Sequence, residues 1–258
     1  MNFASFHKVA LLSLLAGMVA LSGCGANNNL ALMPGNWSMT AVPSVGAAGT
    51  FYIGGNLAQT GTSLTGTTSV VSSLCYSPSQ TVAFTGTIKG NNVTLTSASV
   101  GGEVITVTAT GTNGSFTGTY IIAGGTTCDG QTGTITASPV PSISATWSGP
   151  IASQGGSSTL AFTFTQATTA SSDGTFALTG TGTYTNNSCF KTATITSAFV
   201  IGPSIVVNGA TDDGGNFSYT NVLLNNPASP TNMRGTYEVS DAGGTCDGDL
   251  DEPTFTKQ

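Results

Sequence analysis

The chain states its structural pattern twice. Gly35-Asn36-Trp37-Ser38 has a counterpart in Ala145-Thr146-Trp147-Ser148, and these segments hold the only two tryptophans. Leu64-Thr65-Gly66-Thr67 is matched by Leu178-Thr179-Gly180-Thr181. Eleven residues after each of those leucines stands a cysteine followed by an aromatic residue, Cys75-Tyr76 and Cys189-Phe190. Both copies end alike. Gly118-Thr119-Tyr120 leads to Gly124-Gly125-Thr126-Thr127-Cys128-Asp129-Gly130, and Gly235-Thr236-Tyr237 leads to Gly243-Gly244-Thr245-Cys246-Asp247-Gly248. The separations between markers agree within a few residues, so the body reads as two copies of one unit. The register drifts where the stretch after Cys189 shortens and where Asn225 to Asn232 forms an inserted loop.

Inside each copy the residue pattern is that of strands. Val93-Thr94-Leu95-Thr96, Val104-Ile105-Thr106-Val107-Thr108 and Leu160-Ala161-Phe162-Thr163-Phe164-Thr165 alternate apolar with hydroxylated residues. That period of two gives a strand one buried and one wetted face. Turn chemistry falls between such runs at Lys89-Gly90-Asn91-Asn92, Thr112-Asn113-Gly114, Ser172-Asp173-Gly174 and Asp212-Asp213-Gly214-Gly215. Asn-Gly and Asp-Gly suit tight hairpins, whose central residues need positive φ. No stretch of the body has a helical period. The expected fold is all-β: two tandem repeated antiparallel units, each a small up-and-down barrel or a sandwich. The units span 35–138 and 139–258, with Pro139, Pro141 and Ser142 as a short stiff linker between them.

Composition removes several functions. Charged residues make up 6% of the chain, the formal net charge is −6 and no basic cluster exists, so a polyanion such as nucleic acid is not an expected partner. Glycine, threonine and serine are abundant, but the alternating Val, Ile, Leu and Phe favour a packed core over disorder.

The N-terminal segment has the parts of an export signal. His7 and Lys8 form a short polar start, Val9 to Leu21 is an apolar run, and Leu21-Ser22-Gly23-Cys24 closes it. The run is short for a membrane-spanning helix. This tetrapeptide resembles the lipobox of bacterial lipoproteins. The resemblance implies cleavage after Gly23, a diacylglycerol thioether on Cys24 and an acylated new amino terminus, which together anchor a protein without a spanning segment. It implies residence in the bacterial cell envelope. Gly25 in place of an aspartate points to the outer membrane, with the membrane face left open. On this reading 1–23 is the signal peptide and 24–34 a lipidated tether that spaces the body from the bilayer.

Two consequences follow from that leader. The only histidine, His7, leaves with it, so His-dependent triads, His-ligated zinc and histidine general bases are not expected. Lys89, Lys191, Arg234 and Lys257 are then the only cations. The five cysteines also divide into Cys24 and an even set of four, the count expected for two disulfides in an exported chain. Duplication favours Cys75 with Cys128 and Cys189 with Cys246, because each copy then carries the same bridge.

Few residues suggest chemistry. Asp247, Asp249 and Asp251 alternate as a calcium loop begins, but Glu252 and Gln258 occupy the positions where an EF-hand needs Gly and Glu. A solvated acidic tail is the preferred reading, with those three aspartates as the one calcium candidate and no cofactor expected. Asp129 and Asp247, in the shared Cys-Asp-Gly, suit a turn better than a catalytic pair. Trp37 and Trp147 suit a core position better than sugar stacking. The sequons at Asn92, Asn113 and Asn216 carry no expected meaning in a bacterial lipoprotein. The expectation is a non-enzymatic envelope protein that is structural, adhesive or binds a small apolar ligand. The alternative is a surface carbohydrate-binding module or carbohydrate-active enzyme.

Overall fold

The computed structural model describes residues 30–258 apart from 45–48, 72–74, 77–79, 113, 154–155, 242–243 and 245. The leader, His7, Cys24 and most of the tether therefore lie outside the described residues. Among the described residues there is no helix.

The first copy forms β1 (Gly35–Pro43), β2 (Phe51–Thr60), β3 (Ser63–Val71), β4 (Thr81–Lys89), β5 (Asn92–Ser97), β6 (Glu103–Thr112), β7 (Ser115–Gly124) and β8 (Thr132–Pro139). Each strand pairs antiparallel with the next, and β8 closes on β1 from Trp37 opposite Pro139 to Pro43 opposite Gly133. The second copy forms β9 (Ala145–Ser153), β10 (Gly156–Gln166), β11 (Phe176–Thr185), β12 (Thr192–Ile201), β13 (Ser204–Thr211), β14 (Asn216–Leu224), β15 (Asn232–Ser240), β16 (Leu250–Asp251) and β17 (Thr254–Lys257). Here β14 pairs with β15, β15 with β17, and β17 with β9. Asp251 opposite Tyr237 and Thr254 opposite Arg234 are in one register, so β16 and β17 are a single closing strand interrupted at Glu252-Pro253. Both copies are thus closed, eight-stranded, antiparallel barrels, and neither is a sandwich. Closure leaves no strand edge to template aggregation.

The alternation decides which way each side chain points. In β5, Val93, Leu95 and Ser97 are buried while Asn92, Thr94 and Thr96 are exposed. An eight-stranded barrel has an interior that side chains can just fill. In barrel 1, Trp37 stacks on Phe116 at 5.7 Å and Phe51 meets Tyr120 edge-on at 5.6 Å. In barrel 2, Phe162 lies 5.4 Å from Phe164, 5.8 Å from Phe217 and 5.4 Å from Phe255. Each such ring contributes roughly 1.5–3 kcal/mol by leaving water. These side chains occupy the barrel centres, where a small apolar ligand would otherwise sit. The outer wall is hydroxylated: Thr87, Thr94, Thr108, Thr119 and Thr134 stand opposite one another on five successive strands. The hydroxyls of Thr87 and Thr94 are 3.0 Å apart.

Each barrel is stoppered by the segment that leads into it. Leu30 to Pro34, part of the expected tether, lies across one mouth of barrel 1. The Leu30 amide donates to the Gly90 carbonyl at 2.8 Å, and a Cβ on Gly111 would strike the Leu30 side chain. Gln59, near the end of β2, clasps the strap: its Oε1 accepts from Leu32 N at 2.8 Å and its Nε2 donates to Leu30 O at 3.1 Å. Leu32 is buried in the barrel 1 core. The indole of Trp37 donates to Met33 O at 2.8 Å. Barrel 2 repeats the device with the expected linker: Gln166 Oε1 accepts from Ile143 N at 2.9 Å, and the Trp147 indole donates to Ile143 O at 2.9 Å. Val140 and Ile143 belong to the barrel 2 core.

Disulfides join Cys75 to Cys128 and Cys189 to Cys246, with Cα separations of 5.6 and 6.2 Å. Both lie at the barrel end opposite the stopper.

Candidate functional site

The two barrels meet through glycine. Asn36 points outward from β1, yet it is buried because the β12–β13 hairpin of barrel 2 covers it. Its Nδ2 donates to Gly202 O at 3.0 Å and its Oδ1 accepts from Gly202 N at 2.6 Å, satisfying both polar groups of that backbone unit. A Cβ on Gly54 would strike Gly202 Cα, and a Cβ on Gly174 would strike the Thr67 carbonyl oxygen. Backbone therefore lies on backbone at both tips, and only glycine permits that approach. The linker adds Val140 N donating to Asn36 O at 2.8 Å.

Beside this contact runs a cleft of about 150 Å³ with walls from both barrels. Ser69 and Thr81 form the barrel 1 side, and Asp173, Thr175 and Ser204 supply polar groups from barrel 2. Its floor is Phe199, Ile201 and Val206, which point outward from β12 and β13 where the walls otherwise carry mostly threonine and serine. Ile201 is buried by the barrel contact, while Phe199 and Val206 stay partly open to the cleft. Asp173 Oδ1 accepts from Thr175 Oγ1 at 2.8 Å and from Thr175 N at 3.1 Å. Those bonds, the hydroxyl's first, hold the Asp173 carboxyl below its ordinary value, so it is an anion at neutral pH. The cleft joins a short apolar floor to hydroxyls and one negative charge. This volume is small against typical ligand pockets, so a ligand here is of single-ring size or less.

No family model, curated protein or solved structure matches the chain.

The structure disperses the residues that the sequence nominates. Trp37 and Trp147 are fully buried, each tied to its stopper, and present no face for a sugar ring. Asp129 and Asp247 do the same job in separate barrels: Asp129 Oδ1 accepts from Gly124 N at 2.8 Å and Asp247 Oδ1 from Asp241 N at 2.9 Å. The following glycines, Gly130 and Gly248, have φ of 78° and 77°, and their amides donate to Ile122 O and Val239 O. Cys-Asp-Gly is therefore a capped turn used twice. Asp247, Asp249 and Asp251 do not converge. Asp249 is buried and Asp251 accepts from Ala152 N and Glu252 N. Among the described residues, no three acidic, cysteine or histidine side chains gather as a metal site. Asn92 and Asn216 open β5 and β14, and Asn113 lies outside the described residues. Lys89 and Lys191 are exposed at strand ends, Arg234 pairs with Glu252 at 2.9 Å in solvent, and Lys257 Nζ lies 5.8 Å from the Trp147 ring.

Asn36, Gly54, Gly202 and the Phe199-Ile201-Val206 floor were not singled out from the sequence. One signal was available. Phe199-Val200-Ile201 is a continuous apolar run that ends directly at Gly202, and Ile205-Val206-Val207 repeats such a run on the next strand.

Proposed function

We propose that this is a lipid-anchored protein of the bacterial cell envelope, held at the outer membrane through Cys24, whose two barrels bind a small ligand and do not catalyse. The cleft between the barrels is the binding site. The observation that carries this reading is the apolar strip of Phe199 and Val206 on an otherwise hydroxylated wall, held apart from barrel 1 by the Asn36–Gly202 clasp. Apolar side chains grouped in a partly covered cleft, with polar groups at its rim, are the form a ligand site takes. The ligand has a compact apolar body that meets the floor and hydrogen-bond donors that meet Asp173 and the surrounding hydroxyls. Monosaccharides and short alkyl amines have that form, and their volume suits the cleft. Sugar recognition through the tryptophans is not part of this reading, because both rings are buried.

Two experiments test it. Metabolic labelling with a radioactive fatty acid should mark the wild-type protein and not Cys24→Ser; labelling of neither removes the anchor. A thermal-shift panel of monosaccharides, amino acids and alkyl amines should yield a stabilising ligand for the wild type. Val206→Trp, which fills the cleft from an outward position, should abolish that stabilisation. A ligand that protects Val206→Trp equally well binds elsewhere, and a panel without any hit leaves a structural or adhesive role in its place.

A further inference from the structure

The two barrels differ in how they seal the end that carries the disulfide. In barrel 2 the aromatic groups there satisfy one another, and the buried carboxylate, Asp249, is not without a partner. Phe190 packs on Tyr184 at 5.0 Å, and the hydroxyls of Tyr184 and Tyr237 are 2.8 Å apart. Aligning the copies on Leu64 and Leu178, on the cysteine pairs and on Tyr120 and Tyr237 gives the barrel 1 residues at these places. Val70 stands for Tyr184, Tyr76 for Phe190, and Tyr120 for Tyr237. The strand register across Val107–Tyr120 and Tyr219–Tyr237 places Glu103 where barrel 2 has Gly215. Each difference adds a polar oxygen or removes a partner.

The result is an unbalanced cluster inside barrel 1. Glu103 is 3% exposed and Tyr76 is 5% exposed. Glu103 Oε1 accepts from Cys128 N at 2.8 Å, tying the carboxylate to the disulfide loop. Glu103 Oε2 and Tyr76 Oη are buried and have no hydrogen-bond partner. The Cys75–Cys128 disulfide brings the two groups to one place, and burial, then the Glu103 charge, pushes the Tyr76 pKa well above its ordinary value. No cation answers that charge. Lys89 is the only barrel 1 cation among the described residues, and it sits exposed at the β4–β5 turn, the stoppered end. Asp129, the nearest carboxylate in sequence on the same hairpin as Cys128, adds negative charge at the disulfide end. A buried carboxylate without a counter-charge is strongly unfavourable, and it is relieved by a proton, a paired charge or a bound cation.

We propose that the disulfide end of barrel 1 is a binding site for a monovalent alkali cation, Na⁺ or K⁺, held by Glu103 Oε2 and the phenol oxygen of Tyr76. Hard cations take oxygen ligands, and one carboxylate with a neutral phenol balances a single positive charge. A divalent ion would remain uncompensated by half. The site is distinct from the inter-barrel cleft, which carries no part of this argument. Barrel 2 has Phe190 and Gly215 at the equivalent places and so lacks both of these oxygens.

The test is thermal unfolding of the full-length protein in choline chloride, sodium chloride, potassium chloride and calcium chloride at matched ionic strength. Sodium or potassium should raise the melting temperature with a saturable dependence that choline lacks. Glu103→Gln should abolish that dependence. Its amide oxygen can still accept from Cys128 N and it carries no buried charge, so this variant should melt no lower than the wild type in choline. Tyr76→Phe, the residue barrel 2 already uses at this place, should fold and need more alkali salt to reach saturation. Sodium NMR line broadening by the wild type, reversed by potassium, reads the site without any variant. Equal melting in choline and alkali salts overturns the proposal. So does a response confined to calcium, or an alkali response that survives in Glu103→Gln.

Discussion

Asn36 and Gly202 are 166 residues apart and share two hydrogen bonds, one in each direction between a carboxamide and a peptide unit. No other side chain could satisfy that turn so fully: aspartate cannot donate, and glutamine would need room that the Gly54–Gly202 approach denies. The clasp sets the spacing of the barrels and so the width of the cleft beside it.

Asn36→Ala should destabilise the barrel contact by about 2–4 kcal/mol, since it leaves a buried amide and carbonyl of Gly202 without partners. Differential scanning calorimetry should then show the two barrels melting separately. Gly54→Ala should part the barrels without unfolding either, because the added methyl strikes backbone that cannot turn aside. Small-angle scattering would report the longer molecule, and an unchanged profile would contradict the contact.

The indoles of Trp37 and Trp147 are both sealed in and both donate to a stopper carbonyl. Native fluorescence should be blue-shifted and resistant to iodide, and addition of sugars should leave it unchanged. Replacing either by Phe should cost on the order of 2–3 kcal/mol in denaturant unfolding, from lost packing and an unpaired carbonyl. The Trp147→Phe loss should be the larger, because its hydrogen bond is the more deeply buried of the two.

The disulfides close loops of 53 and 57 residues, so chain entropy assigns each about 4 kcal/mol. Paired Cys75→Ala/Cys128→Ala and Cys189→Ala/Cys246→Ala variants should lose similar amounts in urea titrations. A large inequality would show that one bridge acts through native contacts, the Glu103–Cys128 bond being the foremost in barrel 1.

Alkali should unfold the protein. Burial pushes Tyr184 up to about 12 from the ordinary 10.0, and it also raises Tyr76, Tyr120, Tyr219 and Tyr237. Above pH 10 the unfolded chain has lost phenolic protons that the folded chain keeps, so ν_U falls below ν_N and stability declines as pH rises. The contribution is complete below pH 10 and is lost as pH passes upward through the folded values. Phenolate absorbance should therefore rise together with loss of the circular dichroism of the sheet. Independent, reversible titration of these five tyrosines near pH 10 would contradict their burial.

The strands were legible because their periodicity is local. Val93-Thr94-Leu95-Thr96 carries its own inside and outside, and the paired markers fall on equivalent strands, Trp37 and Trp147 on β1 and β9, Leu64 and Leu178 on β3 and β11. Barrel and sandwich differ only in whether the last strand meets the first, which depends on long-range pairing that no window of sequence contains. The stoppers were hidden for a related reason. Asn29-Leu30-Ala31-Leu32-Met33-Pro34 has no period, and Leu32 is buried because a barrel mouth lies beneath it. Glu103, after Gly101-Gly102, reads as a surface charge at a turn; burial comes from the Cys128 loop folding over it. Comparing the two copies position by position was the one route to it, since barrel 2 has glycine there.

A barrel sealed by its own leading segment begins earlier than its first strand. A protein trimmed to start at Gly35 would lose Leu32 and the Met33 carbonyl and leave Trp37 facing an open mouth, whereas each copy taken with its stopper is self-contained and can be duplicated without baring a rim. In barrel 1 the stopper is also a leash. Only five residues lie between Cys24 and Leu30, a reach of roughly 20 Å. With the proposed lipid on Cys24, any pull on the anchor arrives first at the Gln59 clasp, so the membrane attachment and the closure of the barrel would be strained by the same force.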